Sequence, residues 1–478
     1  MKDSSTAEFE AHHVDPVPAS ERGGRARDLF HVWFSANLNL GNAIYGYLIV
    51  LICPNFWLAV LAIITGNMIG TVLMALHSVQ GARLGIPQLI QSRGQFGFYG
   101  ALVPVLAALL MYGGFTISVT IVGGQALQAA TDNHVGLKTS MIIIAVLSLV
   151  IAIVGYKAIH KVAKWAALPL TISILVIAIA AIVSGGPLTA ADESVSAASF
   201  LTAVGIATSF ALTYAPFVSD YSRYLPEKTS GPSIFWWTAG GVFLSATSVC
   251  LLGALLTVRF PAADLYQGAG DAMGRGTVST IVLLITALGL VLTNVLNVYG
   301  GMLNLITGLS SFVRIKTSVR TRTVMLLPTF AIGTVLALFA SESYAANLAA
   351  FISVLLLLLI PWGAVNLVDF YLVQHGSYNL DAMYVKSGPY WHNPATWTWH
   401  GFNFKVLIAY TVGVLAGIPF ASNSWFVGPL AEQFGGGGDL SWIPGLIVTS
   451  IVYIALVRLN RKPTPAPAEE TSEPTTAV

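Results

Sequence analysis

Two stretches of the chain combine an apolar context with groups that interrupt a helix: His31-Val-Trp-Phe-Ser-Ala-Asn-Leu-Asn-Leu-Gly-Asn42 and Thr208-Ser-Phe-Ala-Leu-Thr-Tyr-Ala-Pro-Phe217. The first holds Ser35 and three asparagines beside Gly41, and in the second Pro216 removes a backbone donor. Non-helical backbone at membrane depth is tolerated only where protein buries it or where it lines a cavity. The two stretches therefore predict two broken membrane helices around a buried site.

Composition indicates the class of protein. Of the 478 residues, 55% are hydrophobic and 9% are charged, with a mean hydropathy of +0.74, whereas soluble domains carry about 25% charged residues. A bilayer core needs about 20 apolar residues per helix, while an outer-membrane barrel would show alternating strands of about 10 residues. We predict an all-α membrane protein with twelve transmembrane helices, at 31–52, 56–77, 101–127, 139–155, 165–184, 200–219, 234–258, 277–308, 323–340, 347–372, 404–421 and 442–458.

The positions of the basic residues predict the topology. With the N-terminus inside, 20 of the 23 Lys and Arg residues fall on the cytoplasmic side, and only Lys138, Arg259 and Arg275 fall outside. This asymmetry follows the positive-inside rule. It predicts a multi-pass protein of the cell membrane with both termini in the cytoplasm. The formal net charge of +2 then reflects topology, and no nucleic-acid partner is needed to explain it.

The ends and the few reactive side chains point away from catalysis. Residues 1–27 and 461–478 are polar, and we expect disordered cytoplasmic tails flanking a transporter domain at 28–460. Cys53 and Cys250 lie at or in apolar helices, where packing explains them. The middle of the spans contains no Asp, Glu, Lys or Arg. We therefore expect no enzyme activity and no cofactor.

The two interruptions fall in spans 1 and 6, which suggests two inverted repeats of five helices. The repeats would cover about 31–184 and 200–372, followed by two trailing helices within 404–458. An echo in spans 3 and 8 agrees, with Met-Tyr-Gly-Gly-Phe at 111–115 and Val-Tyr-Gly-Gly-Met at 298–302. Glycine pairs also allow helices to pack closely. Both interpretations of the echo stay open.

Four segments together resemble one transporter family. Pro-Phe-Val-Ser-Asp-Tyr-Ser-Arg-Tyr-Leu-Pro at 216–226 resembles the end of the sixth helix in the nucleobase–cation symporters, the purine–cytosine permeases, and further matches lie at 34–37, 81–97 and 293–299. The match runs over about 28–460. It implies a leucine-transporter-type fold, with a 5+5 inverted repeat and two C-terminal helices.

The resemblance also implies a function. We expect a cation-coupled symporter that imports a nucleobase, such as cytosine or a purine, by alternating access. Allantoin, hydantoin or a vitamin-like heterocycle is the alternative cargo, and a channel or transceptor is the alternative class. The expected partners are the small-molecule base and the lipid bilayer; the oligomeric state stays open.

The family's binding residues are carried over to matching positions here. The resemblance implies that aromatic rings from helices 3 and 6 sandwich the base, and that amides and hydroxyls hold its edges. A planar neutral heterocycle offers a π-face for stacking and donor and acceptor edges for hydrogen bonds. The helix-6 ring is either Phe210 or Tyr214. The expected substrate-binding residues are Asn37, Tyr112, Thr116, Ser209, Phe210, Tyr214, Asn294 and Asn297.

The coupling ion is either Na⁺ or H⁺. The family's sodium site would use the backbone carbonyls around Trp33 and Ala36 and the hydroxyl of Thr293. However, Leu292 stands where the family carries a second hydroxyl, and the loss of one oxygen weakens a site for a hard cation. A proton route needs a titratable group at membrane depth, and His31 is the nearest candidate.

Overall fold

The protein is mostly helical, with one short pair of strands. The computed structural model describes residues 14–154, 156–185, 188, 194–261, 263–313 and 319–459. The first half contains α1 Asp28–Asn37, α2 Ile44–Ile52, α3 Phe56–Leu84, α4 Gln88–Phe96, α5 Leu102–Ala130, α6 Leu137–Val154, α7 Tyr156–Val183, α8 Ala197–Leu212 and α9 Val218–Ser222. The second half contains α10 Gly231–Arg259, α11 Leu265–Ala272, α12 Thr277–Leu309, α13 Val319–Ala340, α14 Tyr344–Val368, the antiparallel strands β1 Thr398–Trp399 and β2 Phe402–Asn403, α15 Phe404–Gly417, α16 Pro429–Gly435 and α17 Trp442–Arg458.

The helices are consistent with twelve membrane crossings. Seven segments of the described chain are long and apolar enough to span a bilayer, and α1 with α2 forms an eighth as a bent pair. One of the seven, Leu326–Val373, contains most of α13 and all of α14, and the shorter α6, α15 and α17 are also apolar. The helix ends differ from the predicted ones, since α3 continues to Leu84 and α7 begins at Tyr156.

Both predicted interruptions are present, but they differ in shape. Helices α1 and α2 are joined through the 3₁₀ turn Leu40–Ala43 and bend by 67°. Helix α8 ends at Leu212, and the 3₁₀ turn Ala215–Phe217 leads into α9. The chain does not bend sharply at this second interruption, and residues Ala197–Ser222 form one span. Pro216 lies in the first turn of the 3₁₀ helix, where its missing N–H is not needed.

The helix contacts show the two predicted repeats. Helix α10 packs on α1 and α2, and its counterpart α3 packs on α8 and α9. Helix α6 contacts α12, and the equivalent pair, α13 and α5, is also in contact. The two central helices α5 and α12 pack along each other, while the trailing helices α15 and α17 pack together against α14. The protein therefore has the leucine-transporter-type fold of two five-helix repeats and two C-terminal helices.

Glycines bring α2 and α10 into backbone contact. A Cβ atom at Gly46 would collide with the carbonyl of Cys250, and a Cβ atom at Gly253 would collide with the carbonyl of Ala43. Each helix thus presents a glycine to the other backbone. Small residues allow this close approach between membrane helices. The broken first span is thereby fixed to α10. Cys250 is fully buried at this contact, as expected for a packing residue.

Glycines also bring α3 and α8 into backbone contact. A Cβ atom at Gly66 would collide with the Val204 carbonyl, and one at Gly70 would collide with the Thr208 carbonyl. Helices α1, α2, α3, α8, α9 and α10 consequently form one tightly packed group, which we call the bundle. Helices α5, α6, α12 and α13 form a second group, which we call the scaffold.

The segment before α1 packs against one end of the bundle. Val17 is buried and its N–H donates to the Gly85 carbonyl (2.9 Å), while the Tyr384 hydroxyl donates to the Val14 carbonyl (2.8 Å). Residues 14–27 of the predicted tail therefore include a segment that packs against the end of α3, where the Val17 N–H and the Gly85 carbonyl satisfy each other. Residues 1–13 and the predicted tail 461–478 lie outside the described residues.

Two of the three predicted outer cations form ion pairs at the opposite end of the molecule. Arg275 pairs with Asp132 in the loop after α5 (3.3 Å), and Lys138 pairs with Glu342 in the loop after α13 (3.7 Å). Both pairs are solvent-exposed, so they contribute little to stability. They agree with the predicted alternation, because they lie away from the end that holds residues 14–27.

The glycine contact between α2 and α10 gives a test of this packing. We expect Gly253→Ala to destabilise the protein by about 1–3 kcal/mol, the usual effect of overpacking, because the new methyl group meets the backbone at Ala43. Gly240→Ala on the same helix is the control, since its Cβ would make ordinary contacts of 3.6–3.7 Å with Phe30. Thermal unfolding followed by size-exclusion chromatography measures both. Equal stability of the two variants would contradict the backbone contact.

Candidate functional site

A cavity of about 570 Å³ lies between the two interrupted spans and the helices α5 and α12. Its wall includes Tyr45 and Leu348 at one end and Val14 and Leu89 at the other. The cavity therefore extends from the middle of the protein towards the end where the N-terminal segment packs. It lies at the boundary between the bundle and the scaffold.

Aromatic rings form the centre of the wall. Tyr112 on α5 stacks on Phe217, with ring centroids 5.8 Å apart and planes at 29°. Tyr214 packs edge-on against Phe217 (5.6 Å) and contacts Trp33 (5.6 Å). Phe210 and Tyr214 both border the cavity, so both helix-6 alternatives lie at the site. Phe217, which contacts Tyr112, is not among the predicted binding residues. It belongs to the 216–226 motif, which is predicted to lie at the end of the sixth span.

The contact between Tyr112 and Phe217 leaves no gap for a planar ligand between them. Carbon atoms in van der Waals contact are about 3.5–4.0 Å apart, so a flat ligand between two rings separates them by about 7–8 Å. The observed centroid distance is 5.8 Å. A planar ligand must therefore part these rings or stack on a free ring face.

The glycine pair on α12 makes room for the Tyr112 ring. A Cβ atom at Gly300 would lie 2.7 Å from Cε1 of Tyr112, and one at Gly301 would lie 3.1 Å from its Cβ. On α5, a Cβ atom at Gly114 would collide with the Phe351 ring. Three of the four echoed glycines thus allow close packing, whereas a Cβ atom at Gly113 would meet nothing within 4 Å; on α12 the packing also positions the central tyrosine.

The predicted polar residues separate into two groups. Asn297 is half-buried and borders the cavity. Thr116, Ser209 and Asn294 are buried and are not part of the cavity wall. Their side chains donate to the Tyr112 carbonyl (2.8 Å), the Ile206 carbonyl (2.7 Å) and the Thr120 hydroxyl (3.1 Å), respectively. Hydroxyls in helices commonly bond to the preceding turn in this way.

The asparagines of the first span cap the end of α1. The Asn37 amide donates to the Trp33 carbonyl (2.8 Å), the Asn39 amide to the Ala36 carbonyl (3.3 Å), and the Asn42 amide to the Asn37 carbonyl (3.0 Å). The last four carbonyls of a helix have no partner within it; those of Ala36 and Asn37 belong to this set, whereas the Trp33 carbonyl lies one turn earlier. Asn37 is buried in this role away from the cavity, whereas Asn39 and Asn42 border it.

The three groups of the predicted sodium site border the same cavity. They are Trp33, Ala36 and Thr293. The two carbonyls already accept the asparagine amides, and the Thr293 hydroxyl donates to the Gly289 carbonyl (3.0 Å). A cation at this position must therefore displace the amides of Asn37 and Asn39 or share their acceptors.

One buried histidine, His77, is not among the residues predicted from the sequence. His77 is fully buried, stacks on Trp362 (5.1 Å, 19°) and places Nδ1 2.8 Å from the Leu73 carbonyl. The predicted span ended at residue 77, but α3 continues to Leu84, so the ring lies two turns inside the helix. His31, the predicted candidate for a proton route, is exposed.

Comparison with known proteins identifies the family. Residues 16–445 match a family model described as permease for cytosine/purines, uracil, thiamine and allantoin. A Bacillus subtilis protein described as a putative purine-cytosine permease, YxlA, is 36% identical over 456 residues, which cover 95% of this chain and 97% of that one. The chain belongs to this permease family.

Further similarities agree in fold and cover related cargoes. The vitamin B6 transporter TPN1 of Saccharomyces cerevisiae is 26% identical over 281 residues, which are 56% of this chain and 48% of that one. The permease also superposes on Mhp1, a nucleobase-cation-symport-1 family transporter. For the inward-facing conformation of Mhp1 the TM-score is 0.73, over 93% of both chains. For its closed conformation with bromovinylhydantoin bound the TM-score is 0.70, over 94% of this chain and 95% of that one. The sequence identity is 19% in both comparisons.

The cavity wall on α12 can be tested by chemical labelling. We expect Asn297→Cys and Thr307→Cys to react with a small thiol reagent about tenfold faster than Thr286→Cys, because thiol reactivity follows exposure. Asn297 and Thr307 border the cavity, whereas Thr286 on the same helix is buried elsewhere. The native cysteines Cys53 and Cys250 are buried and give little background. Equal rates at the three positions would contradict the cavity.

Proposed function

We propose that this permease imports a nucleobase, such as cytosine or a purine, together with a cation across the cell membrane. The observation that carries the proposal is a single cavity bordered by both interrupted spans, with aromatic rings and the Asn297 amide at its centre. The family description and the purine–cytosine relative support this class of cargo.

The centre of the cavity suits a neutral heterocycle. Tyr112, Tyr214 and Phe217 offer ring faces, and Asn297 offers one amide donor and one acceptor. An aromatic contact contributes about 0.5–1.5 kcal/mol beyond burial, and a neutral hydrogen bond contributes about as much. Micromolar binding needs about 8 kcal/mol. A base of about 8–11 heavy atoms can reach this value under a ceiling near 1.5 kcal/mol per atom.

Transport by alternating access follows from the two helix groups. The bundle meets the scaffold at the cavity, so a rocking motion of one group against the other would open its two ends in turn. The cavity now extends towards the end where residues 14–27 pack. With the predicted cytoplasmic termini, this arrangement is inward-facing.

Other cargoes are supported by the relatives. Allantoin and thiamine appear in the family description, a hydantoin is bound in one Mhp1 structure, and TPN1 carries vitamin B6. Each of these molecules contains a ring with polar edges. The relatives named above are described as permeases or transporters and not as channels, and single-channel currents in a bilayer would distinguish a channel from a carrier.

Uptake by whole cells tests the proposed function. We expect saturable uptake of labelled cytosine, adenine, hypoxanthine or uracil in cells that lack their own permeases. Either coupling ion gains about 2.3 kcal/mol per 100 mV on entry, so removal of sodium or addition of a protonophore should lower accumulation. If sodium is the ion, Thr293→Ala should abolish the sodium response. Absence of uptake for every base would overturn the nucleobase assignment and direct the assay to allantoin, hydantoins and vitamin-like rings.

Asn297→Ala tests the binding residue. We expect at least about a tenfold loss of uptake, equivalent to about 1.4 kcal/mol, because the amide that reads the edge of the base is removed. Thr286→Val is the matched control on α12, since its hydroxyl donates only to the Val282 carbonyl (2.9 Å) away from the cavity. Normal surface expression with wild-type uptake in the Asn297 variant would refute its assignment to the site.

A further inference from the structure

We infer that the cavity holds a second binding site for the same heterocycle, between α9 and α12, formed by Asp220, Arg223, Asn304 and Thr307. The inference rests on the proposed function. All four residues border the cavity, at its end nearest Val14. They are separate from the aromatic rings and Asn297, which form the central site.

A polar stripe on α12 connects the two sites. Asn297, Gly300, Asn304 and Thr307 follow the spacing of one helix face, and all border the cavity. At 1.5 Å per residue, Asn304 and Thr307 lie about 10 and 15 Å along the axis from Asn297. A cavity of 570 Å³ is in the range that encloses a drug-sized ligand. It therefore exceeds the needs of one base.

On the α12 side, the second site presents acceptors. Asn304 is 5% exposed, and its Nδ2 donates to the Val105 carbonyl (3.1 Å). This bond orients the amide, and its Oδ1 has no partner among the described residues. The Thr307 hydroxyl donates to the Leu303 carbonyl (3.0 Å) and keeps its lone pairs. Neighbouring protein atoms cover this oxygen in the structure, so a ligand N–H group must move them to reach it. A buried acceptor without a partner costs free energy, and the new bond would recover it.

On the α9 side, the acidic side chain of Asp220 and the basic side chain of Arg223 border the cavity without forming an ion pair. No salt bridge joins Asp220 to Arg223 in the part of the chain that the structure describes. Asp220 accepts the Gln88 backbone N–H (2.9 Å) on one oxygen. Arg223 is 5% exposed and makes two long bonds of 3.4 Å, to the Asp15 carbonyl and the Tyr224 hydroxyl. Its Nε–H has no partner among the described residues.

The hydrogen-bonding groups on the α9 and α12 sides of the second site are together complementary to the edge of a lactam. The Arg223 Nε–H can donate to a carbonyl, while Asp220 and the Asn304 Oδ1 can accept N–H groups. Cytosine, uracil and hypoxanthine each carry an –NH–C(=O)– edge, whereas adenine has no carbonyl. The central site thus binds the ring face and one edge, and the second site binds the polar edge of a base on its way between the central site and the open end.

Equilibrium binding to the purified full chain tests the second site. The probe is labelled cytosine, hypoxanthine or uracil, whichever the cells take up. We expect two bound molecules per wild-type protein and one in Asn304→Leu. Thr286→Val should keep two, and Asn297→Ala should keep one. Arg223→Lys retains the charge but lacks the Nε–H group, so we expect about a tenfold weaker second site. Thr307→Val serves as a milder variant if Asn304→Leu does not fold.

The outcomes separate this inference from the proposed function. Absence of uptake and binding for every base overturns both. Uptake with one bound molecule per wild-type protein overturns the second site alone, as does a count of two in Asn304→Leu. Uptake confined to adenine overturns the assignment of a lactam edge. A count of two that falls to one in Asn304→Leu, with Thr286→Val unchanged, confirms the site.

Discussion

The position of the cavity depends on how the protein satisfies the backbone carbonyls at the break in its first span. A helix that ends inside a bilayer leaves carbonyls without partners, and each costs free energy in an apolar medium. Here the amides of Asn39 and Asn42 donate to the Ala36 and Asn37 carbonyls at the end of α1, and the Asn37 amide donates to the Trp33 carbonyl one turn earlier. Most of these donors come from the break itself, and the Ser245 hydroxyl of α10 adds a long bond of 3.5 Å to the Trp33 carbonyl, so the carbonyls keep partners although the chain bends by 67°. The space beside the bend becomes part of the cavity.

The bend also explains how the aromatic residues meet. Trp33 lies on α1, one turn before the last residue of the helix, and contacts Tyr214, which lies at the interruption of the sixth span. Phe217 follows within the 3₁₀ turn and reaches across to Tyr112 on the scaffold. Bundle and scaffold therefore touch through two rings at the centre of the protein. A ligand that parts these rings acts directly on the boundary where the two helix groups move.

The sequence predicts the architecture well because the architecture depends on patterns along the chain. Apolar stretches, interrupting residues and the spacing of basic residues indicate the spans, the two breaks and the repeats. The structure confirms the interruptions near Asn39 and Pro216. The predicted helix ends are less accurate, as at Leu84, because polar residues can continue a helix when other elements cover them.

The site is only partly predictable because its residues face different directions on helices of irregular shape. Asn37 and Asn39 are two residues apart, yet only Asn39 borders the cavity. Phe210 and Tyr214 both border the cavity, yet Phe217 in the 3₁₀ turn is the ring that stacks on Tyr112. His77 is a further case, since its burial depends on the stacking of Trp362 from a distant helix. Such features depend on tertiary contacts that no local pattern reports.

The glycine contacts within the bundle have a consequence for the evolution of such permeases. Gly46 and Gly253 join their helices through backbone atoms, and Gly66 and Gly70 do the same for a second pair. None of these contacts involves a side chain of the cavity wall. Residues such as Tyr112, Phe217 and Asn297 can therefore be exchanged without disturbing the joints of the moving part. Substitutions in the cavity wall can thus change the cargo while the backbone contacts that hold the bundle together stay the same.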